Sequence, residues 1–287
     1  MMDAKNTLLP VQSLLQSRGK LLEISKPIVM GILNATPDSF YNQGRQSQLD
    51  ELLQEAEKML EEGATILDIG GISTRPEAPT VTYEEELQRV LPVLQAIHLR
   101  FPEVWLSVDT YRASMAEAAV AEGAAIINDI SGGRFDDTML ATVARLKVPY
   151  IAMHIQGTPA TMQHNPQYED VVSDVRNQLR EISDQCALAG IVDVVVDPGF
   201  GFGKTTTHNF QLLKNLSSLR LLGRPILAGL SRKSMIWKTL SSTPDTALNG
   251  TTALHMIALQ QGANLLRVHD VKEAVEVIKL WEALETA

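Results

Sequence analysis

EEGATILDIG, residues 61–70, sets three signals side by side: the acidic end of a helical stretch, a glycine, and an apolar run rich in β-branched residues. The glycine stands where an α-helix closes through a left-handed cap, a conformation that residues with a Cβ adopt only at a steric penalty. The same phrase returns as AEGAAIINDI at 121–130, LAGIVDVVVDPG at 188–199 and QQGANLLRVHD at 260–270, with Gly123, Gly190 and Gly262 in the place of Gly63. Each copy reads as helix, stop, strand. The strand runs are apolar without alternation, the pattern of a parallel strand covered on both faces.

Further strand candidates lie between the copies: PIVMGILN at 27–34, VWLSVD at 104–109, VPYIAMH at 148–154 and RPILAGLS at 224–231, which brings the number of strands to eight. Helical stretches alternate with them, among them QLDELLQEAEKMLEE (48–62), YEEELQRVLPVLQAIHLR (83–100, with Pro92 expected to kink it) and SMAEAAVAE (114–122). Strand alternating with helix selects a parallel sheet. Eight such units in one composition regime predict an α/β fold of the (β/α)8 TIM barrel type, with an open doubly wound sheet as the alternative. No linker rich in Gly, Pro or Ser divides the 287 residues, so a single domain is expected. Residues 1–26 would form a short extension or cap over the barrel bottom, with SLLQSRGKLLEIS as a hairpin, and residues 27–287 the barrel.

Hydrophobic residues make up 45% of the chain and charged ones 21%, and no apolar run reaches the roughly 18 residues of a membrane span. The first twenty residues lack the apolar core and cleavage site of a secretory signal, so a cytoplasmic protein is expected. Cys186 is the single cysteine, which excludes an internal disulfide or a CxxC centre; it reads as a small apolar helix residue. A formal net charge of -9, without a block of lysines and arginines, argues against nucleic acid as a partner.

Chemistry in such a barrel gathers at the C-terminal strand ends. The groups expected there are Asn34, Asp68, Asp109, Asn128, His154, Asp197, Ser231 with Lys233, and Arg267 with His269. Any one of them could cap the helix that follows. Jointly, Asp109, Asn128 and Asp197 offer two carboxylates and an amide to the edge of a planar heterocycle carrying amino and N–H groups. A divalent metal held by the two aspartates would lack the histidine or glutamate partners of an all-protein cage. Arg75 beside Ser73 and Thr74, Lys233 in GLSRKS, and Arg267 two residues before His269 form a second, cationic set suited to an anion. GILNATPDSF (31–40) and DPGFGFGK (197–204) read as functional loops; Phe202 in the second either packs on a flat substrate or plugs the core.

Taken in order, GILNATPDSF, ILDIGGISTRP, SVDTYR, IINDISGG, DPGFGFGK, LSRKS and LNGTTALHMIALQQGANLLRVHD resemble the dihydropteroate synthases, the folate-pathway enzymes that sulfonamides target, over nearly the whole chain. The resemblance implies condensation of 6-hydroxymethyl-7,8-dihydropterin pyrophosphate with p-aminobenzoate, in a Mg2+-assisted, SN1-like substitution carried out by a homodimer. It places Asp109, Asn128, Met153, Asp197, Gly229 and Lys233 around the pterin, and Asn34, Arg267 and His269 around the pyrophosphate, with Asn34 nearest the metal. It gives Thr74, Pro76, Phe202, Lys233 and Ser234 to p-aminobenzoate. It assigns catalytic roles to Asp38, Thr74, Arg75, Lys233, Arg267 and His269, the first three on loops at 35–47 and 72–80 that close over the site. Ile72, Glu77 and Tyr41-Asn42-Gln43 depart from the family's common wording and bear on loop conformation and sulfonamide response. A pterin-binding methyltransferase shares barrel and pocket, but would have no use for the leaving-group residues Arg267 and His269.

Overall fold

The structure, a computed structural model, describes residues 11–36, 45–73 and 80–287. An antiparallel hairpin of β1 (Leu14–Ser17) and β2 (Lys20–Glu23) precedes β3 (Ile28–Asn34), α1 (Arg45–Glu61), β4 (Ile66–Gly70), α2 (Tyr83–Arg100), β5 (Trp105–Asp109), α3 (Ala113–Ala121) and β6 (Ile126–Asp129). Then follow α4 (Met139–Leu146), β7 (Tyr150–Met153), α5 (Val171–Ala189), β8 (Val194–Asp197), α6 (Thr206–Lys214), β9 (Leu227–Ala228), α7 (Ser234–Thr239), α8 (Leu248–Gln260), β10 (Leu265–Val268) and α9 (Val271–Thr286).

The repeated phrase folds as its chemistry requires. Gly63, Gly123, Gly190 and Gly262 have φ of 104°, 120°, 93° and 91°, and β4, β6, β8 and β10 follow them. At Gly123 the space is closed as well: a Cβ there would stand 2.7 Å from His98 Cγ. Helix α2 starts in a capping box, with Glu85 N donating to Thr82 Oγ1 at 3.2 Å and Thr82 N to Glu85 Oε2 at 2.9 Å, and it continues through Pro92 as one element.

Eight parallel strands lie in the order β8-β7-β6-β5-β4-β3-β10-β9. The edges β8 and β9 meet through a parallel bridge between Val196 and Ile226, where Val196 N donates to Pro225 O at 2.9 Å. The sheet is therefore a barrel, and the open alternative falls. RPILAGLS contributes the least strand of the eight: only Leu227–Ala228 pair regularly, and Ile226 before them makes the closing bridge.

Side chains alternate along each strand, so every second residue faces the barrel axis. At the N-terminal end these inward residues are Met30, Ile66, Trp105, Ile126, Ile151, Val195, Leu227 and Leu265. Leu15, Leu22 and Ile24 of the hairpin segment join the same apolar cluster and seal that end. The intervening residues, such as Leu67, Val108, Ile127, Ala152 and Val196, face outward into the larger core under the helices. Counting on by two from the sealed end gives Ile32, Asp68, Ser107, Asn128, Met153, Asp197, Gly229 and Arg267. Two more gives Asn34, Gly70, Asp109, Ile130, Ile155, Gly199, Ser231 and His269. The period of the strand thus converts an apolar floor into a polar mouth.

Candidate active site

Strand register brings the polar layers together: Gly70 stands opposite Asp109, Asp109 opposite Asn128, and Met153 opposite Asp197. Asp68 was expected at the end of its strand; it lies in the middle of β4, fully buried, because its inward parity matters more than its distance from the strand end. Arg267 Nε donates to Asp68 Oδ2 at 2.7 Å, and its Nη2 donates to Asp109 Oδ2 at 2.8 Å. Asn128 Nδ2 donates to the same Asp68 oxygen at 2.9 Å.

This arrangement revises one expectation. Arg267 is not free at the rim: its Nε and Nη2 edge is held by two carboxylates, and among the described residues only Nη1 is left without a partner. His269 is engaged separately, with Nδ1 3.0 Å from Ser231 Oγ and its backbone N donating to that oxygen at 3.2 Å. Inward parity put both residues on one strand face as expected, but the unneutralised carboxylates next to Arg267 hold it deeper.

The charges shift one another. Burial pushes the Asp109 carboxyl up to about 7, since the one guanidinium beside it is shared with Asp68. Burial also raises Asp197, opposed by the Gly199 N–H that donates to its Oδ1 at 2.7 Å. Lys233 is lowered to about 8 by burial and then by the neighbouring Arg267. His269 is lowered to about 4, again by burial first and then by Arg267 and Arg232, so its imidazole is neutral near pH 7.

The loop leaving β8 is built around Lys204, a buried residue with no role expected from residue type alone. Its Nζ lies 2.9 Å from His154 Nδ1 and donates to the carbonyls of Gly199 and Phe202 at 2.9 and 3.0 Å. Burial drops the ammonium to about 7 and keeps His154 well below the usual imidazole range. His154, expected among the strand-end groups, thus faces the loop's interior. The loop presents Phe202, whose ring centroid is 4.4 Å from Lys233 Nζ and which packs beside Ile130, Met153, Ile155 and Met162. Lys233 stands at the N-cap position of α7 with its side chain left free of capping, and Ser234 is the first residue of that helix. Opposite, a Cβ added at Gly229 would find only Leu227 Cδ2, at 4.0 Å, so the mouth is open there.

Asp109, Asn128, Asp197, Lys233, Arg267, Phe202, Met153 and Gly229 thus surround one mouth, closed below by apolar side chains. The family model of pterin binding enzymes matches residues 30–269, from the first inward residue of β3 to the histidine after β10. The dihydropteroate synthase of Haemophilus influenzae is 47% identical over 275 residues, covering 95% of this chain and 99% of its own. The chain belongs to the dihydropteroate synthase family. Among solved structures, the Yersinia pestis dihydropteroate synthase in a sulfonamide drug complex superposes with a TM-score of 0.90 at 46% identity, covering 96% of this chain and 100% of that one. The Xanthomonas albilineans dihydropteroate synthase with 4-aminobenzoic acid gives 0.90 at 42% identity, with 96% and 100% coverage.

In this member of the dihydropteroate synthase family, Asp38, Phe40, Thr74, Arg75 and Pro76 lie outside the described residues, as do Tyr41, Asn42, Gln43 and Glu77. Asn34 is exposed at the end of β3 and offers one amide oxygen at the mouth. Among the described residues no group of three His, Cys, Asp or Glu could hold a metal ion. That donor set does not suit a resident divalent ion, but fits one that arrives on a phosphate and takes a single protein oxygen. Cys186 is a buried free thiol in α5, pushed up to about 12 by burial, and no described helix is long and apolar enough to cross a membrane.

Proposed function

We propose that the protein condenses 6-hydroxymethyl-7,8-dihydropterin pyrophosphate with p-aminobenzoate, giving 7,8-dihydropteroate and pyrophosphate in folate biosynthesis. The observation that carries this reading is the convergence, above an apolar floor, of ring-edge acceptors with two cations and a neutral imidazole.

Asp109, Asn128 and Asp197 accept from the pterin N–H groups, and Lys233 donates to its acceptors. Met153 and Phe202 lie along the flat faces, and Gly229 leaves room for the ring. Among the described residues Arg267 Nη1 makes no hydrogen bond, which leaves that edge for a phosphate oxygen. With the Ser231 hydroxyl proton given to Nδ1, His269 Nε2–H is a second donor for the pyrophosphate. Asn34 is the residue that would hold Mg2+, which when bound supplies charge neutralisation to the leaving group. The C–O bond to pyrophosphate breaks ahead of the new C–N bond, in SN1-like fashion, while the electron-rich ring stabilises the methylene cation. The aniline nitrogen then attacks and loses one proton. Phe202, Lys233 and Ser234 border the p-aminobenzoate, and Thr74, Arg75, Pro76 and Asp38 complete the site from the loops. No protein nucleophile is needed: the chain supplies orientation, preorganised charge and exclusion of water.

Exposed Leu240, Ile257, Leu280 and Leu284, on or beside the successive helices α7 to α9, support a homodimer through this side of the barrel. A cytoplasmic location accords with a metabolic enzyme of this kind. The test is chromatographic: purified protein with both substrates and Mg2+ should form 7,8-dihydropteroate stoichiometrically with pterin consumed. Tight pterin binding without product would move the protein to the methyltransferases or to a binding role.

A further inference from the structure

Asp68 is the one fully buried carboxylate among the mouth groups for which the mechanism has no direct use, and the contacts it makes are unusual. A single oxygen, Oδ2, accepts from two side chains that belong to different tasks: Asn128 Nδ2 at 2.9 Å and Arg267 Nε at 2.7 Å. Its other oxygen, Oδ1, is buried without a partner among the described residues.

A carboxylate can only accept, so the end of the Asn128 amide that faces Asp68 must be its NH2. The amide is 4% exposed and cannot turn over without breaking this bond and setting two oxygens against each other. Its carbonyl oxygen is therefore the end left for a ligand. Without Asp68 the amide could present either face, a donor or an acceptor, at nearly equal energy.

We infer that Asp68 is a positioning residue that sets the specificity of the mouth: by fixing the Asn128 amide it adds a third acceptor beside Asp109 and Asp197, so the site admits a ring edge that donates and rejects one that accepts. The same oxygen ties this reading edge to Arg267. The inference rests on the pterin reading above, and deepens it by naming the group that enforces it.

The experiment is calorimetric binding of 7,8-dihydropterin, of oxidised pterin, which lacks the N8–H donor, and of the 2-oxo analogue, which carries an acceptor in place of the 2-amino donor. Failure of the wild-type protein to bind dihydropterin would overturn the pterin reading itself. With that binding in place, Asp68→Ala is expected to shrink the preference of the wild type for dihydropterin over at least one analogue by about tenfold or more, the scale of one mispaired buried polar group. Asp68→Asn retains an acceptor oxygen for both Asn128 and Arg267, and should keep the wild-type ratio within about threefold while weakening all three ligands together. A parallel fall of all three affinities in Asp68→Ala, with the ratios unchanged, would reduce Asp68 to a structural role and overturn the inference. Should Asp68→Ala not fold, the wild type itself decides: with 15N-labelled asparagine, assigned through Asn128→Ser, the Asn128 NH2 protons should exchange with solvent slowly in ligand-free protein. Exchange as fast as that of an exposed asparagine would overturn it equally.

Discussion

At the sealed end of the barrel the inward residues are Ile66, Ile126, Val195 and Leu265; two positions further along the same strands they are Asp68, Asn128, Asp197 and Arg267. The backbone geometry of the two layers is the same, and their energetics are opposed. Leu15 and Ile24 are fully buried at the lower end, where each such side chain contributes about 1.5–3 kcal/mol by leaving water. At the mouth, each ion withdrawn from water carries a desolvation penalty of several kcal/mol, which only good pairing offsets. Three carboxylates, Asp68, Asp109 and Asp197, share Arg267 and Lys233, and the upward shift of Asp109 to about 7 marks where pairing falls short. One end makes the fold stable enough for the other to be strained for function.

Lys233 should separate the two ends most sharply. On the proposed assignment of Lys233 to both substrates, Lys233→Met should lower kcat/KM by about 100- to 1,000-fold and weaken both, through loss of a preorganised cation. The same substitution should leave the melting temperature unchanged or higher, since the lowered value of about 8 shows that the folded state disfavours the charge. Calorimetry with pterin and with p-aminobenzoate, alongside thermal unfolding, checks both halves; unchanged pterin affinity would refute the assignment.

Leu15→Ala should give the mirror image. It should destabilise the fold by about 2–5 kcal/mol, as a truncated and fully enclosed leucine does, and leave kcat/KM of the folded protein as it was. Urea unfolding and initial rates separate the two effects. A loss of kcat/KM at temperatures where the variant is fully folded would mean that the plug shapes the mouth, and the two ends would no longer be independent.

A subtler effect is expected in pH. If Asp109 accepts from the ligand as a carboxylate, as proposed, pterin affinity should rise as pH passes upward through about 7. The proposed donation from Lys233 needs its ammonium form, so affinity should fall as pH passes through about 8. The profile is a narrow bell, and Asp109→Asn should remove its acid limb. The stability contributions have the reverse sense. Between the ordinary 3.8 of an aspartate and about 7 the folded state holds a proton on Asp109 that the unfolded chain has released, so its contribution to stability declines with rising pH. Between about 8 and the ordinary 10.5 of a lysine the unfolded chain holds a proton that Lys233 has lost, so the contribution of that group grows with pH.

The smallest effect belongs to the outer rim of the sealed end. Lys20 pairs with Glu103 at 2.9 Å across exposed surface, and Lys20→Ala should change stability by no more than about 0.5–1 kcal/mol. A larger loss would show that the hairpin is held by its rim charges rather than by Leu15, Leu22 and Ile24.

The parts of this design that could be read from the chain are those written locally. A glycine at the end of each helix and an apolar run after it identify the unit, because left-handed capping and two-sided burial act within a few residues. Asp109, Asn128 and Asp197 were legible as a set because each ends a run. Asp68 was expected at a strand end with them, but its depth and its hold on Asn128 and Arg267 were not legible: parity becomes visible only when Ile66 is placed in the apolar floor. Lys204 escaped for a different reason, since its partners are carbonyl oxygens of its own loop and the His154 ring, which leave no mark on residue type. The closing bridge from Ile226 to β8 likewise leaves no local mark, being a contact between strands remote in sequence from Ile226's own neighbours.

The most direct test of the central claim is pyrophosphate release from the dihydropterin pyrophosphate, measured with and without p-aminobenzoate, in Mg2+ and in EDTA. Release that requires both Mg2+ and p-aminobenzoate, with dihydropteroate appearing in step, is the predicted result. No release from protein that binds the pterin tightly would leave the barrel and its mouth standing and contradict the synthase.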